Sequence, residues 1–186
     1  MLIFTKMRRD LSKTVEIPEG VTIDINENII SVKGKEGENK KKLNLGKVKI
    51  ENKGKNIVLS AKGATKKEKK MINTLTAHII NMIKGVEQKY EYTLKVCYSH
   101  FPITVEIKGN EAFVKNFLGE KVPRKMKIKK DVDIKVEKDI IKITSTDKEL
   151  AGQTAADFEK TTWIRLRDRR IFQDGIFIIN KAGENI

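Results

Sequence analysis

The sequence predicts an α+β protein made of two tandem copies of one unit, each a small, mostly antiparallel sheet packed with a single helix. Three observations predict it. Short runs in which apolar and polar residues alternate fill most of the 186 residues, and that period marks strands with one buried face. A Thr-x-x-Glu capping box, the signature of a helix start, occurs at Thr65-Lys66-Lys67-Glu68 and again at Thr146-Asp147-Lys148-Glu149. Finally, Val32-Lys33 and Gly37-Glu38 are echoed in order by Val114-Lys115 and Gly119-Glu120, 82 residues on, and the two boxes stand 81 residues apart. A near-constant offset between motifs in the same order is the mark of an internal duplication.

The first unit opens with two alternating runs, around Val15 and Ile17 and around Val21, Ile23 and Ile25. Pro18-Glu19-Gly20 and Glu27-Asn28 supply turns. Further short strands are expected at 29–33, 42–45, 48–51 and 57–60. From Glu68 to Lys84 the apolar residues Met71, Ile72, Leu75, Ile79, Met82 and Ile83 recur at spacings of three and four. They form one helical stripe that faces a core. The second unit starts on the alternating run 90–96, followed by strands at 103–107, 112–116, 124–128, 132–136 and 140–144. A helix over about 150–167 carries Ala151, Ala155, Phe158 and Thr162 on one face, where small residues allow close approach to a sheet. Each helix is expected to end before a glycine, Gly85 or Gly175. The expected domains are therefore 1–85 and 86–186.

Charge narrows the partners. The chain has 39 Lys+Arg against 25 Asp+Glu, a net of +14, and a pI near 9.7. A field of that size favours nucleic acid or an anionic membrane. No apolar run approaches the roughly 20 residues of a membrane span, and the start Met1–Arg9 is too short in apolar residues for a secretory signal. A single cysteine, Cys97, excludes an internal disulfide framework and sets an intracellular location as the default. Aromatics are 6%, which favours recognition of backbone and shape over a broad stacking platform.

The arginines are unevenly placed. Residues 1–85 hold 19 Lys/Arg and 9 Asp/Glu, but only two of the seven arginines. Four others, Arg165, Arg167, Arg169 and Arg170, fall within six positions and lead into Asp174-Gly175 and the run Ile176-Phe177-Ile178-Ile179. Arginine presents a planar fork of donors suited to phosphate. The bland reading of such a cluster is a solvated helix end, where cations answer the helix dipole. Fixed on a short element between a helix and a terminal strand, with Asp174-Gly175 as a tight turn, the cluster instead suits a polyanion. The second domain is thus expected to be the main docking half, and the lysine-rich first domain to supply steering.

Chemistry is hard to place anywhere. His78 lies in the first helix. Cys97-Tyr98-Ser99-His100 has a metal-like spacing but lacks a second ligand pair, and zinc wants four ligands. No oriented base accompanies Cys97. Lys33-Gly34-Lys35-Glu36-Gly37 lacks the Gly-Lys-Ser/Thr ending of a phosphate-binding loop and reads as a hairpin with exposed lysines. Asp131 and Asp133 read as a solvated strand face. The segment Asn116–Arg124 is either a turn whose Phe117 and Leu118 close the core or a loop presenting Lys121 and Arg124 to a partner. These readings leave an RNA-binding structural protein, a free-standing RNA- or DNA-binding module, or, least supported, an enzyme. No cofactor, metal or small-molecule substrate is expected.

The segments Val15-Glu16-Ile17-Pro18-Glu19-Gly20-Val21, Val32-Lys33-Gly34, Asn81-Met82-Ile83-Lys84-Gly85-Val86, His100-Phe101-Pro102-Ile103 and Asn116-Phe117-Leu118-Gly119-Glu120-Lys121 resemble the large-subunit ribosomal protein L-six family. The likeness is to its archaeal and eukaryotic form, called L-nine in eukaryotes. Arg170-x-Phe172-x-Asp174-Gly175-Ile176-Phe177-Ile178-x-x-Lys181 is similar to that family's signature. Two departures stand out: Lys35-Glu36 where the hairpin usually carries proline, and Lys160 where the signature usually has glutamine. The resemblance implies two duplicated α+β domains and a cytoplasmic, large-subunit location. It implies binding to large-subunit rRNA near the base of the sarcin–ricin stem, beside the translation-factor site and the stalk base with its neighbouring proteins. It places Arg167, Arg170, Asp174, Gly175 and Lys181 in the RNA-facing segment, with Lys160 within reach of it.

Overall fold

The computed structural model describes residues 9–26 and 28–185; the charged start Met1 to Arg8, and Glu27 of the expected Glu27-Asn28 turn, lie outside the described residues. The chain divides into two units, Met1–Gln88 and Lys89–Ile186. The first contains strands β1 (Arg9–Glu16), β2 (Thr22–Asn26), β3 (Ile29–Gly34), β4 (Gly37–Lys42), β5 (Lys49–Asn52) and β6 (Asn56–Ala64), then helix α1 (Lys66–Glu87). The second contains β7 (Tyr90–Cys97), β8 (Thr104–Lys108), β9 (Glu111–Lys115), a 3-10 turn at Phe117–Gly119, β10 (Arg124–Lys127), β11 (Asp133–Glu137) and β12 (Ile140–Ser145). Helix α2 (Lys148–Thr161), β13 (Gly175–Lys181) and β14 (Glu184–Asn185) complete it.

The duplication is visible in the pairing. The first unit forms the antiparallel sheets β1-β6-β5 and β2-β3-β4, and the second repeats both orders as β7-β12-β11 and β8-β9-β10. In each, the helix follows the strand that lies in the middle of the first of these sheets. The second unit then adds something not found among the described residues of the first. β13 pairs with the other edge of β7, and β14 pairs with β13, giving a five-stranded sheet β11-β12-β7-β13-β14.

Each helix buries the stripe that its spacing predicts. Ile72, Leu75, Ile79, Met82 and Ile83 of α1 pack with Ile30, Val32, Ile57 and Leu59. Ala151, Ala155 and Phe158 of α2 pack with Leu94, Val96, Ile141, Ile143 and Ile176. Each fully buried Leu, Ile or Phe contributes about 1.5–3 kcal/mol. Gly152 brings α2 close to the sheet: a Cβ there would stand 3.2 Å from the Tyr92 hydroxyl.

Four details differ from expectation. Helix α1 runs through Gly85 to Glu87, so the units divide after Gln88 and not at 85/86. The reason is Val86, which is fully buried and whose carbonyl accepts from Glu36 N at 2.9 Å. The strand expected at 42–45 is β4, Gly37–Lys42, because the chain reverses on Lys35-Glu36 with Gly34 opposite Gly37. Leu43 enters the core from outside the strand. The first capping box forms, with Thr65 N donating to Glu68 Oε2 at 2.9 Å, but α2 is capped by Asp147, whose Oδ1 accepts from Glu149 N at 2.8 Å. Most consequentially, α2 stops at Thr161. The four arginines are therefore not on a helix end but on the connection to β13.

Candidate nucleic-acid interface

The connection 162–174 is irregular, and both of its ends are fixed. At the first end, the Thr162 hydroxyl donates to Glu159 O (3.2 Å) and accepts from Ile176 N (3.0 Å). Glu159 Oε1 accepts from Ile178 N at 3.0 Å. Two amides of β13 that point away from β7 are thus closed by side chains of the helix it follows. Arg124, from β10, ties the same end. Its Nη1 donates to Thr161 O (2.8 Å) and Trp163 O (3.1 Å), which are carbonyls the finished helix cannot satisfy. Its Nε and Nη2 grip both oxygens of Glu120 at 2.8 and 2.6 Å, and its guanidinium lies 4.3 Å over the Phe117 ring.

The second end is held by Asp174, 2% exposed. Its carboxylate accepts from Ser99 N (2.9 Å), Ser99 Oγ (2.8 Å), His100 N (3.2 Å) and His100 Nδ1 (3.1 Å). Burial alone would raise its pKa, but the donors of Ser99 and His100 outweigh that and lower it to about 2. Gly175 opens β13 in the space beside it. A Cβ there would meet Phe177 at 3.3 Å and Thr162 Oγ1 at 3.4 Å. Asp174-Gly175 is therefore not an exposed turn but a buried clamp at the foot of the loop.

Between these anchors the loop turns outward. Arg165, Arg167, Arg169 and Arg170 are all exposed. Asp168 organises the return, its Oδ1 accepting from Arg170 N (2.9 Å) and its carbonyl from Phe172 N (3.0 Å). The Arg167 guanidinium lies 4.9 Å over the Phe172 ring, which stacks on His100 at 5.0 Å between centroids. Leu166 sits at φ 59° and is fully exposed. A non-glycine residue in the left-handed region costs energy. Here both neighbours of Leu166 are arginines.

The other expected site residues divide. Lys160, exposed at the last turn of α2, adjoins the loop. Lys121 is exposed and follows Glu120. The Glu120 carboxyl is held below its ordinary value chiefly by its hydrogen bonds from Arg124, with Arg167 adding to the effect through space. Lys181 stands apart: it ends β13, about 20 Å along the strand from Gly175 at ~3.3 Å per residue. Arg124 is largely committed inside the unit, and the apolar pair beside it follows the core-closing reading, with Phe117 fully buried and Leu118 packed on the core. Cys97 and His100 part company, Cys97 ending β7 while His100 turns to Asp174. His78 is half-buried, its Nδ1 3.3 Å from Lys41 Nζ.

Sequence reasoning misses the supports. Thr162, Ser99 and His100 are noticed only for other reasons (a helix face, a metal-like spacing, a family-like segment), and Glu159 for none; only the fold brings them to the loop's two ends. It also misses the lone Trp163, which is 54% exposed immediately after α2.

Comparison with known proteins bears on this arrangement. The family described as Ribosomal protein L6 matches the chain twice, over residues 17–89 and 101–175, once per unit. The chain is 43% identical over 171 residues to the large ribosomal subunit protein uL6 of Methanobrevibacter smithii, covering 92% of this chain and 96% of that protein. It is 39% identical over 174 residues to the protein of the same name from Methanococcus vannielii (94% and 96% covered). It is 38% identical over 176 residues to that of Methanosarcina mazei (95% and 100% covered).

Proposed function

We propose, from the premise that this chain belongs to the ribosomal protein L6 family, that it docks on large-subunit rRNA through the arginine loop of its second unit. The docking site is near the base of the sarcin–ricin stem, beside the translation-factor site and the neighbouring proteins of the stalk base. The family is a structural, non-enzymatic part of the large ribosomal subunit, in the cytoplasm, and that is the role of this chain.

The observation that carries the reading is the exposed arginine set on a loop clamped at both ends. Ordering a flexible loop on binding costs free energy; a loop already tied by Thr162, Arg124 and Asp174 has less freedom to lose. Arginine forks held there suit phosphate oxygens, which fix register and orientation without reading sequence. The first unit, with a net charge of +9 over residues 1–88 (19 Lys/Arg against 10 Asp/Glu), steers approach and adds diffuse backbone contact. Arg124 acts on RNA indirectly, by fixing the helix end from which the loop departs.

RNA–protein crosslink mapping on intact large subunits tests this. Crosslinks from residues 160–174 should cluster at the base of the sarcin–ricin stem. Crosslinks only from the first unit, or release of the protein from subunits by a high-salt wash, would count for a free-standing nucleic-acid-binding module instead.

A further inference from the structure

Beside the arginine loop lies an open groove of about 690 Å³, a volume in the range of small-molecule sites. Its walls include Cys97, Ala156, Trp163, Ile164 and Phe177. Two of these are large rings left in water: Trp163 is 54% exposed and Phe177 43%. Lys160 and Arg169 also line it. The acids that reach it are already engaged, Glu159 by Ile178 N and Asp174 by Ser99 and His100. The groove is thus apolar and aromatic on its walls and cationic in its free charges.

We infer that this groove receives a single unstacked RNA nucleotide, its base against Trp163 and Phe177 and its phosphates on Lys160 and Arg169. This rests on the reading of the adjacent loop as an rRNA dock. Unpaired bases splayed from a helix stack on aromatic side chains, and the contact tolerates any base because each has a π face. Bases inside a paired stem are stacked on each other and cannot enter. The groove therefore selects a bulged or looped nucleotide next to the helix whose phosphates the arginines hold. An apolar protein segment would fill the walls as well but would leave Lys160 and Arg169 without anionic partners.

Trp163 is the only tryptophan, so its emission reports on the groove alone. The full chain is titrated with a short RNA stem carrying one unpaired adenosine and with the same stem fully paired. The bulged stem should bind about tenfold tighter, as expected for one base–aromatic stack, and should quench Trp163. Trp163→Ala should bring the ratio of the two affinities close to one, and Trp163→Phe should keep most of it. Equal affinities with unquenched emission overturn the inference while leaving the dock in place, as does a preference that survives Trp163→Ala. If neither RNA binds, the docking reading falls and takes this inference with it. If Trp163 emission changes only when other large-subunit proteins are added, the groove faces protein and the inference is wrong.

Discussion

Asp174 Oδ1 accepts from the backbone amide of Ser99 at 2.9 Å across 75 residues of sequence. This bond, with the three others on the same carboxylate, joins the foot of the arginine loop to the segment just beyond β7. Asp174→Asn keeps the size but removes the charge from a buried, fully used acceptor. Hydrogen bonds to charged groups contribute about 1.5–3 kcal/mol each, so urea denaturation should show a drop in stability of at least ~2 kcal/mol. A change near zero would mean the clamp is ornamental.

The same carboxylate sets a pH dependence. Its pKa is depressed to about 2 from an ordinary 3.8, so the native state holds this proton more weakly than the unfolded chain. The stabilisation is fully present above about pH 4 and is lost as pH falls through about 2, amounting to roughly 2 kcal/mol. Unfolding free energy measured across that window should decline more steeply in the wild type than in Asp174→Asn.

Arg167→Ala with Arg170→Ala should weaken binding to a large-subunit rRNA fragment. For every phosphate that goes unneutralised, the slope of log affinity against log salt should fall by about 1. The thermal midpoint should move little, since both side chains are exposed. The triple change of Lys40, Lys41 and Lys42 to Ala should have the smaller effect on affinity at physiological salt. Wild-type binding by the arginine pair variant would return the cluster to the status of solvated charges.

Arg124→Lys separates support from contact. Lysine keeps the charge but cannot span both oxygens of Glu120 and two carbonyls at once. The variant should be roughly 1 kcal/mol less stable in denaturation while keeping the wild-type salt slope. An unchanged stability with a slope reduced by about 1 would make Arg124 a phosphate ligand.

Gly34→Ala tests the first unit. A Cβ there would come within 2.8 Å of Val86 Cγ2 and 3.0 Å of Val86 O, and that carbonyl is fixed by Glu36 N. Overpacking of this kind costs about 1–3 kcal/mol, readable as a lowered urea midpoint by circular dichroism.

Much of the fold is legible in the sequence because periodicity reports burial directly. The α1 stripe from Met71 to Ile83 and the β7 alternation from Tyr90 to Val96 are each dictated by which side faces the core. β4 is harder: Gly37-Glu38-Asn39-Lys40-Lys41-Lys42 has no apolar side chain, and only its pairing with β3 makes it a strand. The end of α2 is hidden for a related reason. Arginine is a good helix former, so propensity extends the helix to Arg167, whereas Thr162 and Arg124 stop it through contacts remote in sequence. Of the site, the arginines are legible as charge. Asp174 and Gly175 are legible only as a pair, and burial of the carboxylate inverts the role that a turn would give them. Trp163 gives no periodic signal at all.

The hairpin that the second unit adds to the duplicated plan also imposes an order of events during synthesis. β13 pairs with β7, roughly 80 positions earlier, and Asp174 reaches back to Ser99. Until Gly175 to Lys181 have cleared the exit tunnel, the bonds from Ile176 N to Thr162 and from Ile178 N to Glu159 cannot form. A nascent chain that stalls earlier can still pair the repeated strands of both units and form the Arg124 tie, yet its arginine loop lacks the bonds that join it to β13. The final seating of the arginine loop between α2 and the sheet therefore waits on β13.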